Sequence, residues 1–146
     1  MSQISNSSID LIVVLGPTAT GKTKLAVQLA HKLGGEIISA DSRQVYSGMN
    51  IGTGKDLDEY KLSGNPILYH LLDILDPMEK YNVARFQNDF HRVFSEIRDR
   101  NKLPILCGGT GFYIKAVLMD FQLPKIGPNK KLRQKLETWK LEELIQ

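Results

Sequence analysis

The stretch Gly16-Pro17-Thr18-Ala19-Thr20-Gly21-Lys22-Thr23 decides the fold. It spells G-x-x-x-x-G-K-T, a phosphate-binding P-loop, and it sits between two informative neighbours. Before it runs the apolar segment Leu11-Ile12-Val13-Val14-Leu15, which reads as a buried strand. After it, Leu25, Ala26, Leu29, Ala30 and Leu33 recur on one helical face. Strand, glycine loop and helix in that order are the context in which this motif cradles a diphosphate. Backbone N–H groups converge on the phosphates, and the helix N-terminus adds partial positive charge. Gly16, Pro17, Thr18, Ala19, Thr20, Gly21, Lys22 and Thr23 are therefore the candidate diphosphate- or nucleotide-binding residues, ATP among the possible ligands. Lys22 is expected to reach the phosphate oxygens, and the Thr23 hydroxyl to ligate Mg²⁺. The motif says that a diphosphate binds; it does not say that a phosphoryl group moves.

Outward from this loop, helical and strand patterns alternate. A helix is expected over residues 22–33, stopped by Gly34-Gly35, and a short strand over residues 36–40. Residues 41–65 hold four glycines without clean periodicity and read as a long loop with one helical turn at most. Residues 67–72 suggest a third strand. Asn82 is a candidate N-cap for a helix over residues 83–100, where Val83, Phe86, Phe90, Val93 and Ile97 keep helical spacing. A strand over residues 104–107 ends in Gly108-Gly109, and a helix over residues 110–119 follows. The fold class is accordingly α/β, a P-loop NTPase-like parallel sheet flanked by helices. Ligands gather at the carboxyl ends of such strands, which brings together the P-loop, Asp41-Ser42, Asp73 and the Gly108-Gly109-Thr110-Gly111 turn.

The chain has 146 residues, 42% of them apolar and 24% charged, enough for one domain with a real core. No apolar run reaches the length of a membrane span. Residues 1–9 read as a polar leader, residues 10–122 as the catalytic core, and residues 123–146 as a linker and a basic helix. That last helix is expected over residues 130–146, capped by Asn129 and buried through Leu132, Leu136, Trp139 and Leu144. The net charge of +3 resides in its segment: residues 125–146 carry six Lys/Arg against three Asp/Glu, and the rest of the chain carries thirteen of each. A basic appendage on a neutral core suits a polyanionic partner, although a solvated helix face produces the same count. The single cysteine, Cys107, reads as core and permits no intrachain disulfide, in keeping with a cytoplasmic protein.

Asp41 directly follows a strand near the P-loop. A carboxylate there can accept a proton from a nucleophile, help hold Mg²⁺, or simply form an Asp-Ser turn. Ordinary phosphoryl-transfer P-loop enzymes carry a second strand ending in a metal-binding aspartate. Here the corresponding strand ends in Gly108-Gly109-Thr110-Gly111 instead, either to let backbone approach a ligand or to pack a tight turn. His31, His70 and His91 make no metal-ligand spacing; His31 and His91 fall on helix surfaces, and His70 on a strand edge. Arg85, Arg92, Arg98 and Arg100 read as helix-surface residues. Tyr46 and Tyr113 suit either base stacking or the core.

Five blocks, taken in order, resemble one family: the P-loop, Asp41-Ser42-Arg43-Gln44-Val45-Tyr46, Asn50-Ile51-Gly52-Thr53, His70-Leu71-Leu72-Asp73 and Gly108-Gly109-Thr110-Gly111-Phe112-Tyr113. Together they are similar to the tRNA dimethylallyltransferases over roughly residues 10–119. The resemblance implies transfer of a dimethylallyl group from dimethylallyl diphosphate to N6 of an adenosine beside the tRNA anticodon. It makes Asp41, Lys22 and Thr18 the catalytic set, with Asp41 as general base. It gives the prenyl diphosphate to residues 18–23, Mg²⁺ to Thr23, and the RNA to Asp41, Ser42, Arg43, Gln44 and Thr110. It makes the tail the start of a helical tRNA-binding insertion, and the protein a monomer. One departure stands out: where the family often has Ala-Lys-Pro, this chain has Gly54-Lys55-Asp56. Family members are also longer, so weak or no tRNA modification is expected of these 146 residues alone. The alternatives are an adenine-nucleotide prenyltransferase, a P-loop small-molecule kinase, and a phosphate-binding chain without turnover.

Overall fold

A computed structural model of the chain describes residues 9–55, 57–62, 64–124 and 126–145. Its centre is a parallel sheet of β1 (Ile12–Leu15), β2 (Gly35–Ser39), β5 (Tyr69–His70) and β6 (Leu103–Gly108), in the spatial order β1-β6-β2-β5. Val14 lies opposite Cys107, Ile37 opposite Ile105, and Ile38 opposite His70. A separate antiparallel pair, β3 (Lys61–Leu62) with β4 (Asn65–Pro66), follows a single 3₁₀ turn at Leu57–Tyr60. The parallel α/β class is thus as read from the alternating patterns.

Helices cover both faces of the sheet, which explains why β1 and β6 are apolar and why β2 carries Ile37-Ile38 at its centre. Helix α1 (Lys22–Leu33) packs on the face presented by Val14, Ile37, Ile105 and Cys107. Helices α2 (Val83–Asp99) and α3 (Gly111–Leu118) cover the other, where Ile38 and Leu106 meet Phe86, Phe90, Val93, Ile97 and Tyr113. Successive strand residues point to opposite faces, so Ile37 and Ile38 serve different layers. Ile37, Ile38, Phe86, Ile97, Ile105 and Leu106 are fully buried. Each such side chain contributes roughly 1.5–3 kcal/mol relative to an exposed one. This two-sided burial holds the sheet, rather than the short edge strand β5.

Several elements differ from their sequence expectation. The sheet-facing stripe of α1 is Ala26, Val27 and Ala30; Leu25 and Leu33 are exposed. The small alanines face the sheet and the bulkier leucines lie at the margin. The strand expected over residues 67–72 shortens to Tyr69–His70, because Leu71 (φ 58°) and Asp73 (φ 61°) take left-handed conformations that turn the chain out of the ladder. Leu71 and Leu72 remain buried, which is what the apolar pattern reported.

The final helix is broken into α4 (Lys130–Leu136) and α5 (Leu141–Leu144), and neither buries a residue. Asn129 does cap α4, accepting from Leu132 N at 3.0 Å. Thr138 bonds back to the Lys135 carbonyl at 2.7 Å, and the Glu143 carboxylate accepts from Lys140 N at 2.8 Å, so one helix ends and another begins. Leu132, Trp139 and Leu144 are exposed rather than buried. The expected leader at residues 1–9 lies outside the described residues except for Ile9.

Candidate active site

The P-loop leaves β1 and wraps from Gly16 to Gly21 before α1. Gly21 sits at φ 81° and Ala19 at φ 62°, both left-handed conformations that favour glycine. Thr20 Oγ1 and Lys22 Nζ both donate to the Pro17 carbonyl, the former at 2.8 Å. No side chain among the described residues caps α1, so its first-turn N–H groups stay available at the positive end of the helix dipole.

These amides face a cavity of about 310 Å³ lined by residues 18–23, 41–44, 52–54, 59–60 and 107–110. Thr18, Ala19, Thr20, Gly21, Lys22, Thr23, Asp41, Ser42, Arg43, Gln44 and Thr110 thus converge, as the strand-end rule requires. Gly16 and Pro17 lie within the loop but do not line the cavity. Asp73, expected among the converging groups, does not line it either. The left-handed turn at Leu71 and Asp73 carries it behind residues 44–48.

Asp41 performs the turn role through one oxygen. Its Oδ1 accepts from Arg43 N at 2.8 Å and Gln44 N at 3.2 Å. Oδ2 has no hydrogen-bond partner among the described residues, which leaves it for a ligand. The turn and the chemistry are therefore compatible uses of one carboxylate. Thr110 ties this segment to β6: its Oγ1 accepts from Ser42 N at 3.0 Å, and its N–H donates to the Ala40 carbonyl at 3.1 Å. Gly108 is obligatory for packing, since a Cβ there would collide with the Ala40 carbonyl. At that position the tight-turn reading holds. Gln44 Nε2 donates to the carbonyls of Thr53 at 3.2 Å and Gly54 at 3.1 Å, and so joins a third stretch to the wall.

Glu59, Tyr60, Cys107 and residues 52–54 are lining groups that the sequence reading did not assign to the site. Gly52 and Thr53 stood in one of the five family blocks without being assigned to the site, and Glu59 and Tyr60 carried no signal in an aperiodic loop. Cys107 is buried as expected, yet one side of it faces the cavity. Burial pushes its thiol up to about 11, with the nearby Lys22 acting in the opposite sense. It is an inert wall rather than a nucleophile. Tyr113 belongs to the core, stacked on Phe86 at 4.5 Å, while Tyr46 is half-buried.

Away from the cavity, Arg100 proves to be more than a surface residue. Its Nε and Nη2 donate to the buried Glu36 carboxylate at 3.1 and 2.7 Å, and His70 Nε2 lies 2.7 Å from the same group. Burial works against the charge on Glu36, but the hydrogen bonds from Arg100 and His70 outweigh it and hold its carboxyl below the ordinary value.

With this geometry in view, the IPP transferase family model matches residues 44–146. The chain belongs to the IPP transferase family. A second model, isopentenyl transferase, matches residues 9–73, which include the P-loop. The chain is 57% identical over 135 residues to tRNA dimethylallyltransferase 1 of Azobacteroides pseudotrichonymphae, covering 92% of this chain and 44% of that protein. It is 56% identical over 137 residues to tRNA dimethylallyltransferase 1 of Parabacteroides distasonis, covering 94% and 45%. The chain thus spans under half the length of the curated relatives it matches.

Solved structures agree with the fold. The tRNA isopentenylpyrophosphate transferase of Bacillus halodurans superposes with a TM-score of 0.74 at 45% identity, over 89% of this chain and 42% of that one. A eukaryotic dimethylallyltransferase acting on tRNA gives 0.74 at 32% identity, over 89% and 32%. The parallel sheet with flanking helices is the family's P-loop-type architecture.

Proposed function

We propose that the protein transfers a dimethylallyl group from dimethylallyl diphosphate to N6 of an adenosine next to the tRNA anticodon, releasing diphosphate. The observation that carries this reading is the shared cavity: a diphosphate-binding loop and the free Oδ2 side of Asp41 open into one space. A phosphoryl-transfer enzyme would place an acid at the end of β6, whereas β6 ends here in Gly108-Gly109-Thr110, stitched to Ser42. The relatives named tRNA dimethylallyltransferase support the choice of substrates.

In this reading N6 attacks the first carbon of the prenyl group, and the carbon–oxygen bond breaks with its electrons passing to diphosphate. The N6 lone pair is delocalised into the ring, so removal of its proton by the Asp41 carboxylate assists as the bond forms. Lys22, Thr18 and the amides of residues 18–23 stabilise charge growing on the leaving group. Thr23 would hold Mg²⁺ together with oxygens of the diphosphate. Among the described residues no cluster of three His, Cys, Asp or Glu could hold a metal without such help. An ion held there would help neutralise the charge of the leaving diphosphate. Asp41, Ser42, Arg43, Gln44 and Thr110 hold the RNA. A loop adenosine is easier to extrude than one stacked in a duplex. The exposed basic residues Lys130, Lys131, Arg133 and Lys135 suit the opening of an RNA-binding region at residues 123–146, following a catalytic core at 10–122. The reading takes the protein to act as a monomer in the cytoplasm.

The test is incubation of the natural full-length polypeptide with labelled dimethylallyl diphosphate and tRNA, followed by nucleoside analysis. Label on N6 of one anticodon-loop adenosine is expected. Label on free adenine nucleotides but not RNA would instead establish a nucleotide prenyltransferase. Phosphoryl transfer from ATP to a small acceptor would establish a kinase.

A further inference from the structure

Lysine on a long surface loop ordinarily keeps its ammonium in water. Lys55 does the opposite: its side chain is 0% exposed. Its Nζ donates to the Tyr46 carbonyl at 2.7 Å and to Asp73 Oδ1 at 2.6 Å. The same Asp73 oxygen accepts from Gly48 N at 3.1 Å. The Asp73 backbone joins in, its N–H donating to the Gln44 carbonyl at 3.0 Å and its carbonyl accepting from Ser47 Oγ at 2.9 Å. The Lys55 ammonium holds the Asp73 carboxyl below the ordinary carboxylate range, against the effect of burial.

The consequence falls on Gln44, which lines the cavity. Asp73 holds its backbone from behind, and its side chain holds the carbonyls of Thr53 and Gly54, immediately before Lys55. The ion pair therefore closes a ring through residues 44, 46, 48, 53–55 and 73. Removing an ammonium from water costs more than an apolar pair of the same volume would, so stability alone does not call for this choice. What a charged, hydrogen-bonded pair supplies that an apolar pair does not is fixed direction.

We propose that Lys55 and Asp73 are positioning residues for the acceptor side of the site: clamped together beneath residues 44–48, they fix Gln44 and the 52–54 stretch where the adenosine-bearing strand must sit, and leave the P-loop untouched. Neither residue lines the cavity, so both act through Gln44 and its neighbours. The kinetic part of this proposal rests on the transferase reading above; the structural part does not.

The test uses Lys55→Met and Asp73→Asn in the natural full-length polypeptide, well below each variant's melting temperature. Calorimetric titration with an unreactive prenyl diphosphate analogue counts folded sites and gives donor affinity. Kinetics with an anticodon stem-loop RNA follow, expressed per donor-binding site. Donor affinity is expected within about twofold of the parent, because the P-loop is held separately. kcat/KM for RNA is expected to fall roughly 30-fold in Lys55→Met, as for a small misplacement of positioning groups, and about fivefold in Asp73→Asn. The asparagine keeps an oxygen for Lys55 and Gly48, so Asp73→Asn carries the test if Lys55→Met fails to fold.

Amide hydrogen exchange supplies a readout that needs no turnover. Faster exchange over residues 44–54, with residues 16–24 unchanged, is expected in both variants. Unchanged RNA kinetics per site, unchanged exchange over 44–54, or equal losses of donor and RNA affinity would each overturn the clamp. Absence of prenyl transfer by the parent protein would overturn the transferase reading instead, and the exchange pattern would still decide the clamp.

Discussion

The two walls of the cavity are built in opposite ways. The wall proposed to hold the donor, residues 18–23, is one continuous loop whose shape comes from its own glycine and from the start of α1. The wall proposed to present the acceptor draws on residues 41–44, 52–54 and 108–110, which are distant in sequence and stitched by Thr110 to Ser42 and by Gln44 to Thr53 and Gly54. A diphosphate is a small invariant group that backbone amides can hold. An extruded nucleotide needs side chains at set positions, and those require support from behind. On the transferase reading, the difference makes binding of the donor and presentation of the acceptor separable.

Asp41→Asn tests that separation most severely. Transfer is expected to fall roughly 10³-fold, because asparagine cannot take the N6 proton. Titration with a prenyl diphosphate analogue should be nearly unchanged; a parallel loss of donor affinity would merge the two walls. Lys22→Ala is the converse. Loss of a charge-assisted hydrogen bond should weaken analogue binding about 10- to 100-fold in the same titration.

A smaller effect is expected from Thr110→Val, which keeps the shape but removes the acceptor for Ser42 N. The KM for RNA should rise several-fold, by the roughly 1 kcal/mol of one hydrogen bond, with donor affinity preserved. Glu36→Gln sharpens the comparison from outside, since none of Glu36, His70 and Arg100 lines the cavity. It should lower the melting temperature by about 5 °C without changing either wall's constants at 25 °C. In the parent, the folded-state carboxyl of Glu36 titrates below its ordinary 4.5. Its contribution is thus fully present above that value and is lost as pH falls through the folded value. Glu36→Gln should remove this part of the acid sensitivity, as followed by thermal melts across pH 3 to 6.

The P-loop wall was legible in the sequence because its information is local: eight consecutive residues specify the turn and its place at the start of α1. The acceptor wall was legible only in part. Asp41, Ser42, Arg43, Gln44 and Thr110 stood out through the ordered blocks of the family resemblance and the strand-end rule. Lys55 did not, because nothing in an aperiodic loop distinguishes a buried lysine from an exposed one. Asp73 was read as a site group, and two left-handed residues turned it to the back of the wall. Arg100 read as surface because its partner, Glu36, is 64 residues away. The basic tail followed its composition but not its expected helix, since Thr138 and Glu143 divide it by local hydrogen bonds that outweigh a weak apolar period.

Calorimetric titration with Mg²⁺ present, comparing an unreactive dimethylallyl diphosphate analogue with plain diphosphate and ATP, tests the central claim most directly. The account expects the prenyl analogue to bind more tightly than either, since the loop then holds a leaving group beside an apolar wall that includes Tyr60 and Cys107. Tighter binding of ATP would contradict it, and would make Asp41 a residue of phosphoryl chemistry rather than a base for adenine N6.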